Sequence, residues 1–210
     1  MLTKDYIVVV DYGMGNIGSI LNMLNYLGAK AIASSDKQII NDSYKIILPG
    51  VGSFDKAIEN IKQLDIFDLL KKKGLESKTP ILGICLGMQI MCKSSEEGIS
   101  EGLSLVNAEV KKFSFDADSS IKIPHMGWNK IDIINGGSRL FRGLDNNSRF
   151  YFVHSYFVKC NNQNDILTQT NYGMDFVSSF ERSNILGVQF HPEKSHKFGI
   201  ELFKNFIANY

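Results

Sequence analysis

Four consecutive apolar residues, Ile7–Val10, lead into Asp11 and a glycine-rich turn; beyond it the apolar positions change spacing to Ile17, Ile20, Leu21 and Leu24 and stop at Gly28. A short unbroken apolar run followed by a 3.6-residue period reads as a strand, a turn and a helix over residues 17–27. The unit recurs. Apolar runs at 31–33, 45–48 and 80–84 are separated by helical patterns at 54–64 and 66–74. Such alternation implies parallel strands joined by right-handed crossovers, with functional groups in the loops at the carboxyl ends of the strands. Gly13, Gly50 and Cys85 fall in those loops.

Beyond Leu103 the pattern changes. Strand-like pieces at 108–115, 130–134, 150–159, 176–180 and 185–190 follow one another with turns between them, which predicts an antiparallel extension of the sheet. The stretch 198–209 is apolar at Ile200, Leu202, Phe203, Phe206 and Ile207 and suits an amphipathic helix docked on that sheet. No repeat or long linker divides the chain. Residues 1–210 therefore read as one α/β domain, a mostly parallel sheet flanked by helices with antiparallel strands added in its second half.

Composition narrows the partners. With 23 basic and 22 acidic residues spread evenly and a formal net charge of +1, the chain offers no footprint for nucleic acid or a lipid surface. Cys85, Cys92 and Cys160 are an odd number at wide spacing, which argues against a disulfide framework and for a reducing compartment, the cytoplasm. The first apolar run is too short for a signal-peptide core or a membrane span.

Candidate chemistry begins at Pro80-Ile-Leu-Gly-Ile-Cys-Leu-Gly-Met-Gln89, which runs from an apolar strand through Cys85 into a predicted helix, with Gly83 and Gly87 two residues to either side. Small neighbours suit the tight turn of a nucleophile elbow, and the following helix directs N–H groups and its positive end at the sulfur, favouring the thiolate. The competing reading of Cys85 is a small buried core residue. A thiol that attacks an amide needs a base that later protonates the departing ammonia, and a group that orients the base. Gly187-Val-Gln-Phe-His-Pro-Glu193 supplies both: a strand ends at His191, and Pro192 turns the chain so that Glu193 can point back at the imidazole. Taken alone, a His-Pro-Glu turn is only a capped strand end. His125 and His154 sit beside apolar residues with no further ligand at metal spacing, so neither a metal nor a cofactor is expected.

The segments GICLGMQ (83–89) and QFHPEK (189–194) resemble the two defining blocks of class I glutamine amidotransferases, in that family's order and separation, and the resemblance covers the whole chain. Within the class, Asp11-Tyr-Gly-Met-Gly-Asn16, Pro49-Gly-Val-Gly-Ser-Phe54, Pro124-His-Met-Gly-Trp-Asn129, Tyr151-Phe-Val-His-Ser-Tyr156 and His191-Pro-Glu-Lys-Ser195 are similar to the glutaminase subunits of imidazole glycerol phosphate synthases of histidine biosynthesis. The resemblance implies a flavodoxin-like fold in which Cys85 attacks the carboxamide of L-glutamine to give a thioester, His191 carries the proton to ammonia and Glu193 fixes the imidazole. It further implies oxyanion donors at the N–H groups of Val51 and Leu86, and a glutamine site of Gly52, Gln89, Glu97, Ser155 and Tyr156. By the same resemblance Asn16, His125, Trp128 and Lys194 lie on a face that docks a (β/α)₈-barrel synthase as a heterodimer, the barrel using the ammonia to make imidazole glycerol phosphate and AICAR. Without the family, Pro49-Gly-Val-Gly52 is also a generic turn and Glu96-Glu97 an ordinary solvated acidic pair.

Gly18 stands where many relatives have arginine, and His196-Lys197-Phe198 follows the last block. Both features are similar to a paralogous branch whose barrel partner aminates a bacterial surface-polysaccharide sugar. Two readings from other classes remain. Gly13-Met-Gly-Asn-Ile-Gly18 fits G-x-G-x-x-G between a strand and a helix, with Asp36 near a second strand, as in an NAD-binding module; and a cysteine peptidase could use the same scaffold and nucleophile.

Overall fold

The computed structural model describes residues 5–116 and 120–210. Strand β1 (Ile7–Val10), helix α1 (Ile17–Tyr26), β2 (Ala31–Ser34), α2 (Lys37–Asp42), β3 (Lys45–Leu48), α3 (Phe54–Gln63), α4 (Phe67–Leu75), β4 (Ile81–Ile84) and the short α5 (Leu86–Ile90) carry out the alternation. β2, β1, β3 and β4 lie side by side in that order, all parallel. Successive strand residues point to opposite faces. Val8, Val10, Ile46, Leu48 and Ile81 therefore pack with Ile58 and Ile61 of α3, Leu70 of α4 and Met88 of α5, whereas Ile7, Val9, Ile47 and Leu82 pack with Ile20 and Leu24 of α1. Helices on both faces explain why β1 and β4 are apolar throughout instead of alternating. The sequence pattern does not announce α2, whose N-cap is Asp36, accepting from the Ile39 N–H at 2.9 Å.

The second half adds β5 (Ser94–Ser95), β6 (Ala108–Lys112), β7 (His125–Lys130), β8 (Asp132–Ile133), β9 (Arg149–His154), β10 (Tyr156–Cys160), β11 (Ile166–Asn171), β12 (Asp175–Arg182), β13 (Ile185–Val188) and α6 (His196–Asn209). β13 joins the parallel set beside β4, and β12, β10 and β6 continue the sheet antiparallel. Leu202, Phe203 and Phe206 of α6 close the face that α1 covers. Among the described residues no helix is long and apolar enough to cross a membrane.

The apolar run at 150–159 reads as one strand but forms two. β9 pairs with β7 in a separate two-stranded sheet, β10 pairs with β6 and β12 in the main sheet, and the chain changes sheet at Ser155. Alternation continues through the switch, so the pattern hides it. The strand expected at 130–134 is divided between β7 and β8, and β11 was missed because its inward Thr168 and Thr170 are polar. They are buried nonetheless: Thr168 Oγ1 shares hydrogen bonds with Ser178 and Ser179 at 2.8 and 2.7 Å.

Candidate active site

β4 and β13 run parallel with Ile84 beside Val188, and the Cys85 N–H donates to Val188 O at 2.8 Å. The next rung sets Cys85 beside Gln189, and His191 follows two residues on. At Cys85 the backbone turns into α5 with φ 54° and ψ −109°, a strained conformation for a side-chain-bearing residue and one of the kind a nucleophile elbow requires. Glycines close the turn. A Cβ on Gly87 would stand 1.8 Å from Leu48 O, and one on Gly83 would stand 2.6 Å from Gly87 O.

His191 is held through its backbone. Its N–H donates to Tyr151 O at 2.9 Å, its carbonyl accepts from Ser195 Oγ at 2.7 Å, and the same Oγ accepts from the Tyr151 N–H at 3.1 Å. Pro192 opens a single 3₁₀ turn over Pro192–Lys194 that folds Glu193 back, so that its Oε1 lies 2.8 Å from His191 Nδ1. A carboxylate at Nδ1 fixes the tautomer and leaves Nε2 for chemistry. Nε2 is buried and unpartnered, as is Glu193 Oε2. Burial opposes charge on the imidazole, but Cys85 and Glu193 outweigh it and push the His191 pKa up to about 10. Cys85 Sγ lies 3.9 Å from Val153 O and accepts from Gln189 Nε2 at 3.7 Å.

These groups open into a cleft of about 320 Å³ whose walls include Val51, Gly52, Leu86, Gln89, Glu97, Ser155 and Tyr156. All the residues expected around the oxyanion and the glutamine thus come together. Leu86 begins α5, and the first N–H groups of a helix have no partner within it. Across the cleft the buried Tyr12 hydroxyl donates to Pro49 O, anchoring the Gly50-Val51-Gly52 loop at its start, while Gly52 takes φ +105°. The acidic pair divides its work: Glu96 accepts from the Lys112 N–H at 2.8 Å outside the cleft, and Glu97 accepts from the Phe54 N–H at 2.9 Å while lining it.

The expected docking residues do not all share one surface. Asn16 and Lys194 are exposed, and Trp128 is 47% exposed with its ring stacked on His196 at 5.4 Å. His125 is corrected: at 2% exposure it is no surface contact, because β7 alternates and turns His125 inward while Met126 and Trp128 point out. Its Nδ1–H donates to His154 Nε2 at 2.9 Å, and His154 Nδ1–H donates to Tyr156 O at 2.8 Å. Burial among Phe152, Tyr172 and Phe176 pushes the pKa of His125 down to about 4; burial, with His125 and His191 nearby, takes His154 to about 3. The sequence reading gave no part in the site to His154, Pro124 or Val153, which also line the cleft, or to Gln189. The place of Gln189 beside Cys85 follows from the β4–β13 register and from its two-residue offset from His191.

The dinucleotide reading finds no support in the packing. A third fingerprint glycine serves close helix–strand approach, yet a Cβ on Gly18 would meet nothing within 4 Å, and Gly15 is instead confined by Pro49. Asp36 is occupied as the cap of α2.

The glutamine amidotransferase class-I family model matches residues 8–210. An imidazole glycerol phosphate synthase subunit HisH 2 of Methanococcus maripaludis is 52% identical over 203 residues, 96% of this chain and 98% of that protein. A protein of the same name from Pseudomonas aeruginosa is 44% identical over 201 residues, again 96% and 98%. Among solved structures, PurLQS from Thermotoga maritima shares the fold with a TM-score of 0.72 at 17% identity, over 97% of this chain and 98% of that one.

Proposed function

The chain belongs to the class-I glutamine amidotransferases, and from that membership we propose that it is the glutaminase subunit of an imidazole glycerol phosphate synthase, releasing ammonia from L-glutamine for a cyclase subunit. One observation carries the reading of the site: the unpartnered Nε2 of His191 beside Cys85, with Glu193 bonded to the opposite ring nitrogen. Cys85 as thiolate attacks the side-chain carbonyl carbon, and charge develops on the oxygen between the N–H groups of Leu86 and Val51. Each such donor is worth roughly a hundred- to a thousandfold in rate. His191 gives its proton to the amide nitrogen, the C–N bond breaks, and ammonia leaves a γ-glutamyl thioester on Cys85. Water then adds with His191 as base, and glutamate departs as the thiolate is restored.

Glu97, with one oxygen on the Phe54 N–H, offers the other to the substrate ammonium, and Gln89, Ser155, Tyr156 and the Gly52 backbone hold the rest of the head group. Residues 1–210 act as one glutaminase unit in the cytoplasm. Asn16, Trp128 and Lys194 form part of the face toward a (β/α)₈-barrel cyclase in a heterodimer that makes imidazole glycerol phosphate and AICAR for histidine biosynthesis. A barrel that aminates a surface sugar is not favoured, since the relatives carry the imidazole glycerol phosphate synthase name.

The test compares native chain and Cys85→Ala, each assembled with the cyclase subunit, for glutamate release and imidazole glycerol phosphate formation. Cys85→Ala is expected to make neither from glutamine while still supporting synthesis from ammonium salts. Glutamate release by the alanine variant at the native rate would refute the assignment.

A further inference from the structure

Gln189 is fully buried and none of the steps above uses it, yet it is bonded to the nucleophile. Gln89 Nε2 donates to Tyr156 O and to Gln189 Oε1, each at 3.0 Å, which spends both of its hydrogens on acceptors. A backbone carbonyl can only accept, so the orientation of the Gln89 amide is settled, and Gln189 Oε1 must be the end that faces it. The end left for Cys85 Sγ, 3.7 Å away, is therefore Nε2, a donor. Turning the Gln189 amide over would set two NH₂ groups against each other and aim an oxygen at the sulfur. A further polar neighbour of the sulfur is Val153 O at 3.9 Å, which can accept from a thiol but repels a thiolate.

We propose that Gln189 is a positioning residue for the nucleophile: its amide N–H, locked in orientation by Gln89, holds Cys85 Sγ in place and favours the thiolate over the thiol. The proposal rests on Cys85 being the glutaminase nucleophile but concerns the sulfur itself, so its test needs no glutamine. Gln89 then has two duties, lining the cleft and fixing the amide behind it. A hydrogen bond to an ionised group is stronger than one to its neutral form, so the N–H adds to the effect of His191.

Among the described residues, the titratable groups around the sulfur and its cleft are His191 backed by Glu193, Tyr12 after β1, neutral His154 at the end of β9, and Glu97. None is changed by substitution at Gln189. Cys92 and Cys160 are buried, and burial raises both thiols, Cys160 to about 12. Alkylation near neutrality therefore reports on Cys85.

The experiment is the rate of iodoacetamide alkylation at Cys85 in the full chain from pH 5 to 10, read by peptide mass, for the native chain, Gln189→Met and Gln189→Glu. Methionine keeps the volume without the donor, and glutamate places an acceptor at the sulfur. Both profiles are expected to move to higher pH, Gln189→Glu further, with Gln189→Met alkylated roughly tenfold more slowly at pH 7. Near-ultraviolet circular dichroism checks folding; should the methionine variant fail to fold, the glutamate variant decides. Profiles that coincide with the native one in a folded variant would overturn the role of Gln189, whatever the glutaminase assay gives.

Discussion

His191 Nδ1 and Glu193 Oε1 stand 2.8 Å apart although only Pro192 separates the two residues in the chain. The 3₁₀ turn that Pro192 opens places imidazole and carboxylate side by side. Ser195 Oγ then ties the His191 carbonyl to the Tyr151 N–H, so the ring is fixed from the backbone as well as from its edge.

Glu193→Gln keeps an acceptor for Nδ1–H and removes the charge that favours imidazolium. Its glutaminase kcat should fall by up to about ten-thousandfold, less than in Cys85→Ala. Because the folded-state pKa of His191 is raised to about 10, the stability it contributes is complete below the unfolded value near 6.5 and is lost as pH rises through about 10. The gap in unfolding free energy between native chain and Glu193→Gln, about 2 kcal/mol for a bond to a charged group, should be widest near pH 6 and close above pH 10 in urea titrations.

The His125–His154 pair should govern acid stability. Both are neutral when folded, with pKa values pushed down to about 4 and about 3, so below about pH 6.5 only the unfolded chain takes up their protons. Stability is full above that pH and falls between 6.5 and about 4 by about 1.4 kcal/mol per pH unit for each histidine. The double variant His125→Gln/His154→Gln should lose that slope, whatever its stability at pH 8; an unchanged slope in denaturant titrations would show that other groups carry it.

Trp128→Ala and Lys194→Ala should weaken association with the cyclase subunit and leave the isolated chain's melting temperature nearly unchanged. Trp128 is half exposed, its ring stacked on His196 and edge-on to Tyr151, and the Lys194 ammonium lies 5.7 Å from the Tyr151 ring. A buried tryptophan at an interface often contributes about 2 kcal/mol or more. Calorimetric titration measures the loss, and a large drop in melting temperature of the free Trp128 variant would make it a core residue.

Much of this site was legible because chemistry and sheet parity point the same way. The apolar run into Cys85 with its flanking glycines marks the tight turn, and a strand ending at His191 puts the imidazole beside it. What stayed hidden depended on tertiary pairing. The sheet switch at Ser155 lies inside an unbroken alternating pattern, Thr168 and Thr170 look polar yet face inward, and the register that sets Gln189 against Cys85 joins residues about a hundred positions apart. For His125 a docking role was inferred from its block, while the parity of β7 turns it inward.

The Gly50-Val51-Gly52 loop is expected to act as a switch on glutamine hydrolysis. Tyr12 anchors the Pro49 carbonyl and Gly52 supplies a positive φ, so rotation of the Val51 peptide can bring its N–H toward or away from the oxyanion while Cys85 stays fixed. The isolated chain should release glutamate roughly a hundred- to a thousandfold more slowly than the complex holding an unreactive acceptor analogue. Equal steady-state rates would dispose of the switch.

Cleavage of glutamine through a thioester would leave Cys85 transiently acylated. The direct measurement is acid quench of the assembled enzyme during glutamine turnover, followed by peptide mass mapping. A γ-glutamyl adduct is expected on the Cys85 peptide, decaying to glutamate when glutamine is exhausted; steady glutamate production with the adduct on another residue would refute a thioester at Cys85.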